Sequence, residues 1–117
     1  MGTFTHPITL IGPAGQRETL EALVDTGATF TSVPSEVLER LGVRPHRRVR
    51  LQLANGRVEE RPIGRVEAEL DGLEGFIYCV FSPPGAPAVI GAHTLEGFLL
   101  AVNPVSQRLV PVEGLWA

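Results

Sequence analysis

Glycine and proline interrupt this chain so often that no long helix fits into it. Its 117 residues include 13 Gly and 10 Pro spread along the whole length, and the segments between them are rich in Val, Leu, Ile and Thr. That spacing predicts an all-β domain. Val49, Leu51 and Leu53 alternate with Arg48, Arg50 and Gln52, and Asn55-Gly56 follows, a pair suited to a two-residue type I′ turn whose central positions both need positive φ. A hairpin tip is therefore expected at Asn55-Gly56. Val66, Ala68 and Leu70 alternate in the same way with Arg65, Glu67 and Glu69 before Asp71-Gly72. A two-residue turn there sets Leu70 against Leu73 and Val66 against Ile77, with apolar side chains on one shared face.

Further strands are expected over residues 5–11, 18–24, 30–33, 76–81, 88–90, 98–102 and 108–112. Residues 35–41 read as a short helix, with Ser35 as its cap, Val37, Leu38 and Leu41 as its apolar stripe and Gly42 as its stop. A second helical turn is expected over residues 92–96, and residues 82–87, with three prolines, read as a loop. The stretch Gly56-Arg57-Val58-Glu59 recurs as Gly64-Arg65-Val66-Glu67. A period of eight is too short for a solenoid, so the echo reads as two similar entries from turn to strand. The length suits one domain over residues 1–117.

Composition excludes several classes of function. Net charge is only −3, no run of 18 apolar residues exists, and Met1 to His6 lacks the basic flank and apolar stretch of a leader, so the expectation is a cytoplasmic chain with no membrane partner. The single cysteine, Cys79, forms no intrachain disulfide. Together with His6, His46 and His93 it shows no ligand spacing, and neither metal nor cofactor is expected. Cys79 reads as a small sheet residue and His93 as a surface or capping histidine. The cluster Arg44, Arg47, Arg48 and Arg50 reads as a solvated face matched by Glu59, Glu60, Glu67 and Glu69. It lacks the interleaved aromatics of a nucleic-acid site, so no nucleic acid is expected.

One segment stands apart. Ala22-Leu23-Val24 leads straight into Asp25-Thr26-Gly27-Ala28, which places a carboxylate where a buried strand meets a loop. Such a position desolvates the acid and raises its pKa unless something compensates. Gly27 permits a tight turn beside the acid, and Thr26 offers a hydroxyl for hydrogen bonding. The segment resembles the active-site motif of the retropepsin-like aspartic proteases, single-domain homodimeric relatives of the pepsins. Val89-Ile90-Gly91 followed by a helix matches a second element of that family, and the Asn55-Gly56 hairpin falls where its flap lies. The tail over residues 98–112, with Asn103-Pro104 in its turn, is similar to the ending of bacterial members. The resemblance spans residues 5–112.

The resemblance implies a closed β-barrel of the retropepsin type, with one or two short helices and a β-hairpin flap. It implies an aspartic endopeptidase with Asp25 as the catalytic residue, supported by Thr26, Gly27 and Gly91. Gly27, Ala28, Thr29, Ala54, Asn55, Gly56, Val89 and Ile90 are the implied substrate-binding positions for an extended peptide or protein. Peptide hydrolysis by this chemistry needs two carboxylates sharing a proton. The chain has only two aspartates, and Asp71, in Asp71-Gly72, is explained by its turn. The reading therefore needs a homodimer with one Asp25 from each subunit. Retroviral members carry an Asp and an Arg where this chain has Thr29 and Ala92. Both charges are absent together, which points to a different interface design. Leu115-Trp116-Ala117 reads as a packing anchor or a loose end. The rival class is a domain of the same fold that binds peptides or mediates assembly without cutting them.

Overall fold

A computed structural model describes residues 4–117; residues 1–3, the start of the stretch read for a leader, lie outside the described residues. The alternating segments form strands close to where the pattern places them. These are β1 (Thr5–Ile11), β2 (Arg17–Val24), β3 (Thr31–Pro34), β4 (Pro45–Gln52), β5 (Val58–Leu70), β6 (Leu73–Ser82), β7 (Val89–Ile90), β8 (Leu100–Asn103) and β9 (Arg108–Pro111). Helix α1 (Ser35–Arg40) follows β3, and α2 (Ala92–Gly97) follows β7. No helix among the described residues is long and apolar enough to cross a membrane.

The pairings run β1-β2-β7-β3-β6-β5 and return from β5 to β1, while β4 pairs with the first half of β5. Most neighbours are antiparallel, but β7 lies parallel to β2 and β6 parallel to β3. The main core packs between these strands and the two helices, with Ile8, Leu10, Val33, Leu38, Leu70 and Ile90 all essentially inaccessible. A smaller cluster of Val49, Ile63 and Val80, with Phe30 and Leu51 against it, lies under the β4–β5 hairpin. The hairpin therefore has an apolar underside.

The two hairpin turns differ in kind. Asp71 and Gly72 both have positive φ, 55° and 81°, and the strands pair Leu70↔Leu73 and Val66↔Ile77, the type I′ geometry and register expected. Leu73, at the open end of that face, stays 47% exposed. At Asn55-Gly56 only Gly56 has positive φ. The Gly56 N–H donates to the Leu53 carbonyl at 2.9 Å and the Leu53 N–H to the Arg57 carbonyl at 2.7 Å. This is a three-residue loop, a type I turn followed by glycine in the left-handed region, and not a two-residue turn. Asn55 is kept out of that region because its side chain accepts from the Arg57 N–H, 3.0 Å away, which rewards the ordinary turn conformation.

Other expectations are corrected locally. Ser35 is the first helical residue of α1, not its cap. Pro34 occupies that place with an extended ψ of 137° because it is still paired in β3. Gly42 ends the helix with φ of 81°, as expected. Phe98 and Leu99 fall outside β8, since Phe98 closes α2 and Leu99 turns the chain with φ of 55°. The Gly56 and Gly64 stretches are not equivalent either. Gly56 is an exposed turn residue, whereas Gly64 is buried mid-strand, where a Cβ would stand 2.9 Å from the Arg44 carbonyl oxygen and 3.1 Å from the Phe81 ring.

Candidate active site

Strand β2 delivers Asp25 to the rim of the core. Its last residues pair with β7, Leu23↔Val89 and Val24↔Ile90, and the Asp25 N–H donates to the Ile90 carbonyl at 3.0 Å. The chain then turns. The Gly27 N–H donates to Asp25 Oδ1 at 2.9 Å, and the Ala28 N–H to the Asp25 carbonyl at 3.1 Å. Asp25 is half-buried rather than buried, so its carboxylate has both solvent access and a backbone donor.

Gly91 is the pivot beneath this turn. A Cβ on it would lie 2.4 Å from the Phe30 carbonyl oxygen and 2.9 Å from that of Ala28, distances that no side chain tolerates. Because glycine lets the chains touch, the Ala92 N–H reaches the Ala28 carbonyl at 2.7 Å and the His93 N–H reaches the Thr29 carbonyl at 2.9 Å. A buried hydroxyl pair completes the junction. Thr31 Oγ1 lies 2.7 Å from Thr94 Oγ1 and accepts from the Gly91 N–H at 3.2 Å. The His93 ring stacks on Phe30 with centroids 5.7 Å apart and meets Tyr78 edge-on at 5.7 Å, while Tyr78 meets His46 at 5.8 Å.

Two hollows border the turn. A cleft of about 340 Å³ runs between Gly27 to Phe30 and Ser32 on one side and Arg50 to Leu53 of the hairpin on the other, with Val80 between. A recess of about 230 Å³ is lined by Thr26 to Thr29 with Ala92, His93 and Glu96. Gly27, Ala28 and Thr29 line both. The other expected substrate contacts divide. Ala54, Asn55 and Gly56 sit exposed at the hairpin tip, outside the residues that line the cleft. Val89 is half-buried in β7, and Ile90 is fully buried in the core, so it meets the site through its carbonyl and not its side chain. Phe30, Ser32, Leu51, Leu53 and Val80 are cleft residues that sequence reasoning did not single out. The alternation of Val49, Leu51 and Leu53 was the available signal for two of them. The Thr31–Thr94 pair left none.

Several of the remaining titratable groups have structural partners. Asp71 Oδ1 lies 3.8 Å from His6 Nε2 in the β5–β6 turn. Arg48 Nε lies 3.2 Å and Arg50 Nη1 4.0 Å from Glu60, Arg40 pairs with Glu18 at 2.7 Å, and Arg17 pairs with Glu69. Of the arginine cluster, Arg48 and Arg50 therefore share the Glu60 carboxylate of their own chain. Cys79 is buried, and desolvation pushes its thiol up to about 12, which removes it as a nucleophile. Among the described residues no three His, Cys, Asp or Glu side chains gather closely enough to hold a metal ion.

The sequence profile of the family described as "gag-polyprotein putative aspartyl protease" matches residues 14–96. No curated protein matches the chain. Among solved structures, the protease of Simian Foamy Virus (mac) superposes with a TM-score of 0.57 at 18% identity, covering 80% of this chain and 92% of that one. The retroviral protease-like domain of Ddi1 from Leishmania major superposes with a TM-score of 0.60 at 20% identity, covering 95% and 89%. At such identities the likeness is one of fold.

Proposed function

The chain belongs to the gag-polyprotein aspartyl protease family, and from that premise we propose that it is a homodimeric aspartic endopeptidase acting on extended peptides. The observation that carries this reading is the Asp25 turn. A half-buried carboxylate stands at the end of β2, braced by the Gly27 N–H and by the Gly91 junction, and the residues that follow it, Gly27 to Phe30, line a cleft roofed by an apolar-bottomed hairpin. The return of β5 to β1 supports a closed barrel behind it, formed by one domain over residues 1–117.

One carboxylate cannot serve as base and acid at once, and the chain's other aspartate, Asp71, lies in the β5–β6 turn, 3.8 Å from His6 Nε2. A twofold axis beside Asp25 brings a second copy of the same carboxylate, with Thr26 of each subunit supporting the two turns. Two such groups share one proton, because like charges in contact do not both ionise. The ionised carboxylate takes a proton from water, whose oxygen bonds to the scissile carbonyl carbon. The protonated carboxyl gives its proton to the carbonyl oxygen. As the tetrahedral intermediate collapses, the carboxyl that took the water's proton gives it to the nitrogen, the C–N bond breaks and the amine leaves, while one hydroxyl of the diol returns its proton to the other carboxylate. No step draws on a metal or an organic cofactor. Substrate backbone adds as a strand beneath the hairpin, and the recess lined by Thr26, Thr29, Ala92 and His93 is the face offered to the second copy.

The test is cleavage of a diverse peptide library between acidic and neutral pH by wild type and by Asp25→Asn, with sedimentation alongside. Cleavage by a dimer that disappears in Asp25→Asn supports the proposal. A correctly dimeric wild type that cuts nothing overturns it in favour of a peptide-binding or assembly module.

A further inference from the structure

The type I′ turn at Asp71-Gly72 fixes which residue pairs of β5 and β6 exchange two backbone hydrogen bonds. Leu70↔Leu73 is the first, followed by every second pair: Ala68↔Gly75, Val66↔Ile77 and Gly64↔Cys79. The next in the series sets Pro62 against Phe81. Proline has no N–H, so the Phe81 carbonyl loses its ladder donor, and the pairing ends at Ile63↔Val80. Arg61 fills the gap. Its Nε and Nη2 donate to the Phe81 carbonyl at 2.9 and 2.6 Å. The guanidinium is partly buried, and among the described residues no carboxylate lies within ion-pair distance of it.

Other irregularities fall at the same level. Strand β4 shifts register between Pro45 and Arg47, opposite Gly64 and Ile63. Gly64 is wedged against the Arg44 carbonyl and the Phe81 ring. Ser82, next after Phe81, holds a buried hydroxyl without a hydrogen-bond partner among the described residues. Beyond this level β5 has only β4 as a ladder partner, so residues 47–61 form a two-stranded lever whose tip is free.

We propose that Arg61 is the positioning residue of this lever. Its guanidinium latches the β4–β5 hairpin over the Asp25 cleft, and opening turns about Pro62 and breaks the bonds to Phe81 while the Gly64↔Cys79 ladder stays paired. A backbone N–H at position 62 would lengthen the ladder and lift the hinge toward the tip. A long side chain releases and re-forms its bonds without re-pairing a strand. The inference rests on the reading of the hairpin as the cover of a peptide cleft, but its test needs no catalysis.

Amide hydrogen exchange over residues 50–60 is compared among wild type, Arg61→Gln, Arg61→Lys, Pro62→Ala and the double variant Arg61→Gln/Pro62→Ala. Arg61→Gln should exchange about tenfold faster in the hairpin, the loss of a charge-assisted bond, with β1 and β2 unchanged. Lysine should fall between, and Pro62→Ala, which restores the missing donor, should slow exchange in both backgrounds. Unchanged hairpin exchange in Arg61→Gln, or an equal rise in β1 and β2, overturns the proposal. If Arg61→Gln does not fold, Pro62→Ala alone decides, and an unslowed hairpin refutes the latch. Where wild type cleaves peptide, Arg61→Gln should raise KM more than it lowers kcat. If wild type cleaves nothing but the exchange pattern holds, the protease reading falls and the latch stands.

Discussion

Replacing Gly91 by alanine adds one methyl group at the point where two segments of backbone touch. Gly91 has φ of −98° and ψ of 177°, which any residue adopts, so the cost comes from space alone. The new Cβ would sit 2.4 Å from the Phe30 carbonyl oxygen and 2.5 Å from its carbon, atoms of the main chain that have no rotamer to escape into. Relief requires β7 and the start of α2 to move away from residues 28–31. That movement lengthens the Ala92–Ala28 and His93–Thr29 hydrogen bonds, now 2.7 and 2.9 Å. Overpacking costs about 1–3 kcal/mol, and each weakened bond adds about 1 kcal/mol. The expected loss is about 3–5 kcal/mol, out of a total stability on the order of 5–15 kcal/mol. At about 4 °C per kcal/mol for a chain of this size, the melting temperature should fall by about 10–20 °C. Gly97→Ala is the control, because a Cβ there meets nothing within 4 Å. It should be neutral or stabilising by about 0.5–1 kcal/mol. Urea unfolding followed by circular dichroism gives midpoint and slope for both variants. A Gly91→Ala protein within about 1 kcal/mol of wild type would show that the junction beneath Asp25 is not close-packed.

Thr31→Val leaves the buried Thr94 hydroxyl and the Gly91 N–H without their partner and should cost about 1–3 kcal/mol in the same unfolding assay. Adding Thr94→Val should cost less than the two single changes summed, and strict additivity would contradict the hydroxyl pair. Burial raises the Cys79 thiol from 9.0 to about 12, so above pH 9 the unfolded chain releases a proton that the folded chain keeps. This contribution leaves stability untouched below pH 9 and lowers it as pH rises from 9 toward 12. Cys79→Ala should flatten the decline in that window, and an unchanged slope would refute the assignment.

Much of the fold was legible because its signals are local. Alternation in residues 65–70 and the Asp71-Gly72 pair set the β5–β6 register, since a two-residue turn with both φ positive permits only one pairing. Asn55-Gly56 carried the same signal and formed a different loop. There the Asn55 side chain accepts the Arg57 N–H, a contact that decides between turn types and that composition does not reveal. The Gly56 and Gly64 stretches make the point again: identical four-residue beginnings occupy a solvent turn and a buried strand, because Gly64 meets Arg44 and Phe81 from elsewhere in the chain.

The candidate site divides along the same line. Asp25, Thr26 and Gly27 were visible as a carboxylate at the end of an apolar strand with a turn behind it. The resemblance implied Ile90 as a substrate-binding position, but parallel pairing with Val24 turns its side chain into the core and offers its carbonyl to Asp25.

By itself the sequence determined the strands, the tight turn that carries the acid, and the presence of one such acid per chain, which are consequences of residues within a few positions of one another. Tertiary structure alone decided that Thr31 and Gly91, 60 residues apart, would share a hydrogen bond beneath that turn. It also decided that Arg61 would stand in for the donor Pro62 lacks. Both depend on which strands lie side by side, and sheet neighbours are chosen by the packing of the whole core rather than by any stretch of chain.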